Sequence, residues 1–535
     1  MDYGLVADQD DVRRIACLGG GPGGLLTALL AKRSDPGREV TVFERNRAGD
    51  TFGFGVVFSD ATLEGINAAD PVLRTALTEH GVHWDPIEVR LRGERWTFGG
   101  NGMAAVSRRT LLWLLEQRAL AAGVDIRFSA PVGPEDLLAA GYDLVVAADG
   151  ANSATRARFR SVFGPTVQTA EAKFIWFGTS YAFGGLTFVH QQGPHGVFAV
   201  HGYPIGNGVS TFIVETDERS WREAGLDEFD VAQPPGPSDQ RTKAYLERLF
   251  ADQIDGQPLL ENNSRWGNFR TWRTRRWRHR AGPTAIALLG DAAHTAHFSV
   301  GSGTKMAMED AIALVAALDE HPDVDEALSV YEAARQPRVA RIQDAARPSL
   351  SWWEHFGRSY GALAPWQFAY HFFSRSLPDS KLRQRDPVFV EDVHEAWRRS
   401  HDGADPLHTP VGVGGVPQPS RVVRIADEAA CLAAGALPLR AGPPPDGSRW
   451  GLWVSAPDTE DGLRLAYEDV ARGLAAGACL VATGAGTHLT RRLVCEAARL
   501  EHGAVTLLVE DGPASDDMAR TEVLSGRTDL VGARW

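Results

Sequence analysis

Residues 14–44 read RIACLGGGPGGLLTALLAKRSDPGREVTVFE, and the fold is decided there. RIACL suits a short buried strand, Leu25–Lys32 an apolar helix and Glu39–Glu44 a second strand. Strand, helix and strand in that order make a parallel β–α–β crossover. Between the first strand and the helix, Gly19, Gly21 and Gly24 satisfy G-x-G-x-x-G, with Gly20, Pro22 and Gly23 interleaved. Gly19 permits the tight turn, Gly21 lets backbone approach a pyrophosphate, and Gly24 lets helix and strand pack closely. The helix start offers free N–H groups and a positive dipole end to phosphates. Glu44 stands at the end of the second strand, followed by Arg45, where an acid can accept hydrogen bonds from a ribose.

The pattern continues outward. Helix 110–122 carries apolar residues at near-helical spacing and leads to a strand at Asp125–Phe128. Tyr142–Ala148 is a continuous apolar run, as in a parallel strand covered on both faces, and AIALLGD (285–291) returns to that character. From Lys173 to Thr216 the texture changes to aromatic and β-branched segments separated by Gly, Pro and Asn, which predicts an antiparallel sheet. The expected class is therefore α/β, a Rossmann-like dinucleotide-binding domain with an inserted antiparallel-sheet substrate domain. Its boundaries are expected at about 12–165 and 270–345 for the nucleotide-binding part, 166–269 for the sheet and 346–400 for a helical stretch. The Gly/Pro-rich residues 401–420 read as a linker, and 421–535 as a separate small α/β module.

The chain has 535 residues and a formal charge of −13. That balance argues against nucleic acid as a partner, since phosphate-backbone binding needs a basic footprint. No apolar run approaches the length needed to span a bilayer. The start, MDYGLVADQDDVRR, is acidic and unlike a secretory signal. Four scattered cysteines fit neither a disulfide framework nor a zinc cluster, so no metal is expected. The expectation is a cytoplasmic, multi-domain enzyme.

Two further stretches add specificity. Asp149-Gly150 closes YDLVVAADGANSATR, and Gly290-Asp291 lies in LLGDAAHTAHFSVGSGTKMAMEDA, each at the end of an apolar strand. Ligands bind at such strand ends in open α/β sheets. Together with the glycine loop, these motifs resemble the FAD-dependent aromatic hydroxylases of the p-hydroxybenzoate hydroxylase type. The resemblance implies FAD as cofactor, with Glu44 at the adenosine ribose and Arg108 of VSRRTLL reaching the cofactor. It places Asp149 near the cleft and Asp291 at the ribityl–pyrophosphate region. Gly301, Gly303 and Thr304 would open a helix aimed at the flavin. The family usually has a proline shortly after GDAAH, where this chain reads Thr295-Ala296-His297-Phe298-Ser299-Val300. HFSVGSGT, GFGVVFSDATL (53–63) and KFIWFGTS (173–180) are similar to a narrower branch. That branch includes salicylyl-CoA 5-hydroxylase, 2-aminobenzoyl-CoA monooxygenase and a violacein-pathway hydroxylase. Residues 407–424 and the final segment resemble the opening and end of an old-yellow-enzyme barrel. An eight-stranded barrel needs about 250 residues, so the expectation is a truncated remnant that does not close, packed on the hydroxylase or on a second subunit in a homodimer.

The resemblance implies hydride transfer from NADH or NADPH, oxygen addition to give a flavin hydroperoxide, and hydroxylation of an electron-rich ring. The substrate it points to is an aromatic acyl-CoA thioester, salicylyl-CoA going to gentisyl-CoA. An indole- or tryptophan-derived intermediate, or a flavin-binding scaffold role, stays open. The catalytic candidates are His297, His201 and Tyr203, the last two sharing one strand face; imidazole titrates near neutrality. His190 and His294 are further polar candidates. Trp176, Phe188, Phe198, Tyr203 and Phe212 are candidates to line the site, and Trp176 and Phe298 are candidates to meet the substrate. FRTWRTRRWRHR (269–280) packs six arginines into an acidic protein. Arg273, Arg275 and Arg276 could dock a CoA phosphate, since Arg forks suit phosphate, with Trp272 and Trp277 stacking an adenine.

Overall fold

The computed structural model describes residues 12–59, 63–229, 236–426, 428–512 and 515–534. Most of the acidic N-terminal stretch and part of GFGVVFSDATL lie outside them. The chain divides into two compact units. One takes the chain up to Ile87 together with Asn101–Glu354; the other takes Glu88–Gly100 and His355 onward. The division falls inside the helix Val324–Ala362, so residues 355–400 group with the C-terminal module, where the sequence suggests the hydroxylase half. Residues 401–420 carry a 3-10 turn, Pro406–His408, and a hairpin, Val411–Val413 with Val416–Gln418.

The first unit is built on a six-stranded sheet ordered Arg278–Ala281, Thr284–Leu288, Leu144–Ala147, Arg14–Leu18, Glu39–Phe43, Asp125–Arg127. All neighbours are parallel except the first pair. Register pairs Cys17 with Val42 on one side and Val146 on the other, three wholly buried side chains. The helices Pro22–Ser34 and Gly303–Glu320 contribute Leu25, Leu29, Met306 and Leu314 to the same core. Gly19 has φ +111°, and a Cβ there would sit 2.3 Å from the Ala148 carbonyl; one at Gly24 would sit 2.1 Å from the Gly19 carbonyl. Both positions exclude any larger residue.

The second sheet is antiparallel in the order Leu259–Leu260, Pro165–Thr179, Ser210–Thr216, Gly196–Pro204, Thr187–Gly193. Gly267–Thr274 also pairs with Pro165–Thr179. Alternation splits its side chains between two faces. Ile175, Phe177, Phe198, Val200, Phe212 and Val214 join one closed apolar cluster. Phe174, Trp176, His201, Tyr203 and Glu215 point the other way by the same period.

In the second unit Phe98 packs on Phe373 and Phe389, with ring centroids 4.8 and 5.4 Å apart. The C-terminal module corrects one expectation, because its seven strands close a barrel. Val422–Ala426, Ala429–Leu432 and Gly435–Arg440 pair antiparallel, and the remaining strands run parallel until Leu530–Arg534 closes on Val422–Ala426. Antiparallel neighbours need connections of only a few residues, whereas each parallel crossover consumes a dozen or more. That economy closes the ring in little over one hundred residues. Leu437, Leu439, Ala482, Leu507, Val509 and Leu530 belong to its apolar core.

Candidate active site

Three strand ends of the first unit converge on one cavity of about 570 Å³. The glycine loop contributes Gly21–Gly24, the second motif Ala148 and Gly150, and the third Gly290, Asp291 and Gly301–Thr304. Two helices begin on its wall, Pro22–Ser34 and Gly303–Glu320, so two positive dipole ends face the same space. A Cβ at Gly21 or Gly303 would meet nothing within 4 Å.

The polar accounting around this cavity does not close. The Nε of Arg108, the Oδ1 of Asp149, the Oγ of Ser302 and the Nε1 of Trp176 are buried without a hydrogen-bond partner among the described residues. Burial lowers the Arg108 pKa, against the opposing pull of Tyr203 and Asp291. Burial raises the Asp291 pKa despite His294, Arg108 and Arg156; its side chain meets cavity space rather than bulk water. Buried polar groups are nearly always paired, so unpaired ones gathered around a cavity suit a polar ligand there. Two helix starts, an arginine, an acid and open backbone fit the phosphates and polar ring edge of FAD.

Several expected contacts lie slightly apart from the cavity. Gly19 shapes the turn behind it. Glu44 accepts from the backbone N–H of Gly20 at 2.8 Å and, through its other oxygen, from the N–H groups of Asn46 at 2.8 and 2.6 Å. Arg45 is exposed beyond it. Asp149 caps the next helix, its Oδ2 accepting from Thr155 N at 3.1 Å.

The opposite wall is aromatic. Phe174, Trp176, Phe269 and Phe298 line it, with Phe298 packed on Phe174 at 5.2 Å and on Trp176 at 5.6 Å. Phe198 and Phe212 lie on the far face of the sheet, in the apolar cluster, and Phe188 is buried against His201 and Trp353. Of the three catalytic candidates only Tyr203 lines the cavity, donating its O–H to the Gly55 carbonyl at 3.2 Å. His201 and His297 are 3% and 2% exposed and sit behind Phe298, whose ring is 5.4 and 4.2 Å from theirs. Between them stands Glu215, 2.6 Å from His201 Nε2 and 3.2 Å from His297 Nε2. Burial pushes this carboxyl up, but the two imidazoles outweigh it and hold its pKa at about 2. His297 Nδ1 also meets Ser299 Oγ at 2.8 Å, and that hydroxyl meets Ser349 Oγ at 2.9 Å. His190 is nearby, with burial pushing its pKa down to about 3. His294 belongs to a different cluster, 2.7 Å from Asp310.

Two residues escape a reading of the sequence alone. Glu215 is the lone acid of GVSTFIVET, and an acid in an otherwise apolar strand needs a buried partner. Arg156, in DGANSATR, donates to the carbonyls of Asp291 and Ala292 at 3.2 and 2.9 Å and lies 3.8 Å over the Trp272 ring. It thus ties the second motif to the third. The arginine-rich segment does not act as one surface. Arg273 pairs with Asp344 at 2.6 Å, Arg275 lies against Gly164, and Arg276 lines a separate small cavity. Trp277 is 1% exposed between His294 and Tyr331 and offers no face to a ligand.

A Rossmann-like sheet whose three strand ends meet at an open cavity under an antiparallel sheet defines a flavin-dependent enzyme. The chain belongs to the FAD binding domain family, whose model matches residues 13–346. Among its relatives, salicyloyl-CoA 5-hydroxylase of Streptomyces sp. is 57% identical over 525 residues, covering 97% of this chain and 99% of the relative. The 3-hydroxy-4-methyl-anthranilyl-(aryl-carrier protein) 5-monooxygenase of Streptosporangium sibiricum is 39% identical over 63% of this chain and 88% of its own. Protodeoxyviolaceinate monooxygenase of Chromobacterium violaceum is 30% identical over 64% and 89%. No helix among the described residues is long and apolar enough to cross a membrane.

Proposed function

We propose that this protein hydroxylates salicyloyl-CoA (the salicylyl thioester) at the 5-position, using FAD, a reduced nicotinamide and O2. The observation that carries the reading is the cavity ringed by unpaired polar groups, in a chain 57% identical to a salicyloyl-CoA 5-hydroxylase along nearly its whole length. Bound FAD, reduced by NADH or NADPH, would supply the oxygen activation. In this reading Gly21–Gly24 and the helix starting at Pro22 hold the pyrophosphate, and Glu44 and Arg45 flank the adenosine ribose. Asp149 and Asp291 accept from the cofactor's hydroxyls. Arg108 and the helix start at Gly303 and Thr304 favour negative charge on the ring system.

Trp176 and Phe298, with Phe174 and Phe269, form a water-poor wall against which an aromatic ring can lie. Tyr203 orients the phenol of the substrate, whose electron donation directs hydroxylation para, to the 5-position. His201 and His297 act as positioning residues: fixed by Glu215, they hold Phe298 from behind. The homodimer belongs to the same proposal, and the molar mass in solution tests it.

The test is product analysis. Purified protein should carry FAD and convert salicyloyl-CoA to its 2,5-dihydroxy thioester with matching nicotinamide consumption, while free salicylate stimulates nothing. A protein that takes up no FAD, or that serves the free acid equally well, overturns the reading.

A further inference from the structure

Four residues beyond Trp272, on the wall of the large cavity, the chain reaches Arg276 on the wall of a second one. This smaller cavity, about 290 Å³, is lined by Val162, Arg276, Arg278, His279, Arg280 and Asp325. Four of its six lining side chains are basic or imidazole, in a protein of net charge −13. Their countercharges are loose. Arg280 is 3.7 Å from Asp325 and Arg278 is 3.8 Å from Glu332, both beyond good hydrogen-bond distance. The Nε of Arg278 is buried with no hydrogen-bond partner, and the Arg276 guanidinium forms no ion pair among the described residues. Arg273, by contrast, is neutralised by Asp344. Burial lowers the His279 pKa, so its ring, packed 5.0 Å from Phe159, presents a neutral flat surface at neutral pH.

Loosely paired arginine forks beside a flat ring match a phosphate monoester attached to a nucleoside. A stretch of four residues spans at most about 14 Å. The arm joining the thioester of CoA to its ribose phosphate is longer than that, so one molecule can touch both walls. We infer that the cavity at Arg276, Arg278 and Arg280 binds the ribose phosphate of an adenine nucleotide, namely the 3′-phosphate of the CoA thioester. This rests on the acyl-CoA substrate proposed above. The 2′-phosphate of NADPH carries the same chemistry, and the experiment separates the two.

Adenosine 3′,5′-bisphosphate titrated into the holoenzyme by calorimetry should bind, more weakly at high salt, and the R276A/R280A variant should weaken it about 10-fold or more. In steady state, removing the 3′-phosphate from salicyloyl-CoA should raise KM by a similar factor in the unaltered protein, with kcat unchanged. The variant should raise KM for the phosphorylated ester and leave the dephospho ester alone. If the unaltered protein treats both esters alike, or the variant discriminates as well as its parent, the inference falls. If the variant loses only a preference for NADPH over NADH, the CoA assignment is overturned in favour of the nicotinamide. Bisphosphate binding without hydroxylation of salicyloyl-CoA would sink the proposed function while the anion site stands.

Discussion

Asp291 and Asp310 are acids serving the same strand end, Asp310 wholly buried and Asp291 open to the cavity, and their surroundings are opposite. Asp310 accepts from His294 at 2.7 Å and from Gly290 N at 3.1 Å, and its other oxygen accepts from Arg335 at 2.7 Å. Arg335 in turn reaches Glu309 at 2.9 Å. Burial pushes the Asp310 carboxyl up, yet His294 and Arg335 bring it below its ordinary value. The carboxylate of Asp291 has no hydrogen bond among the described residues, and its pKa is raised. The difference separates scaffold from site. A buried cluster that satisfies itself holds elements together, whereas one left unsatisfied around open space awaits a ligand.

Removing a member of the satisfied cluster should have the largest effect. Asp310→Ala leaves His294 buried without its anion and Arg335 with Glu309 alone, and should cost about 3–5 kcal/mol of stability, read from denaturant unfolding. An unchanged midpoint would erase the distinction between the two clusters. Glu215 makes the same point through pH. With a folded pKa of about 2 against an ordinary 4.5, it is the unfolded chain that takes up this proton first on acidification. Its contribution is therefore complete above about pH 4.5 and lost as pH falls towards 2, on the order of 3 kcal/mol in all. Glu215→Gln should flatten the acid limb of the stability curve over that window. The unsatisfied cluster should behave in reverse. Arg108→Met removes a half-buried cation that forms no ion pair among the described residues, so flavin-free stability should hold. FAD affinity should fall by about 1.5–3 kcal/mol, roughly 10- to 100-fold, in a flavin titration.

How far the sequence discloses this contrast depends on range. The glycine loop and the strand ends at Asp149 and Asp291 are local patterns of backbone and spacing, so the fold and the cavity floor are legible. The ceiling is not. Whether an aromatic residue of the antiparallel sheet faces the cavity depends on strand register, which separates Trp176 from Phe198 and Phe212 although all three lie in similar stretches. Glu215 and Arg156 are not legible because each takes its role from partners far along the chain, Glu215 from His297 and Arg156 from Asp291. Barrel closure depended on pairing Val422–Ala426 with Leu530–Arg534, a contact across the whole module that residue count alone could not reveal.

Tyr203 belongs to both categories, and the smallest expected effect is the most discriminating. Its hydroxyl is satisfied by the Gly55 carbonyl, like a scaffold group, yet its ring lines the cavity. Burial raises its pKa, so it stays a neutral donor through the working range. Tyr203→Phe deletes one neutral hydrogen bond and should lower stability by about 1 kcal/mol. If Tyr203 only supports the wall, hydroxylated product per nicotinamide consumed should not change. If it orients the phenol, nicotinamide consumption should persist within about two-fold while the coupled fraction drops and peroxide appears, because a loosely held ring is less often in line with the activated oxygen. The second outcome is the expected one. Full coupling in the variant would move Tyr203 into the company of Asp310.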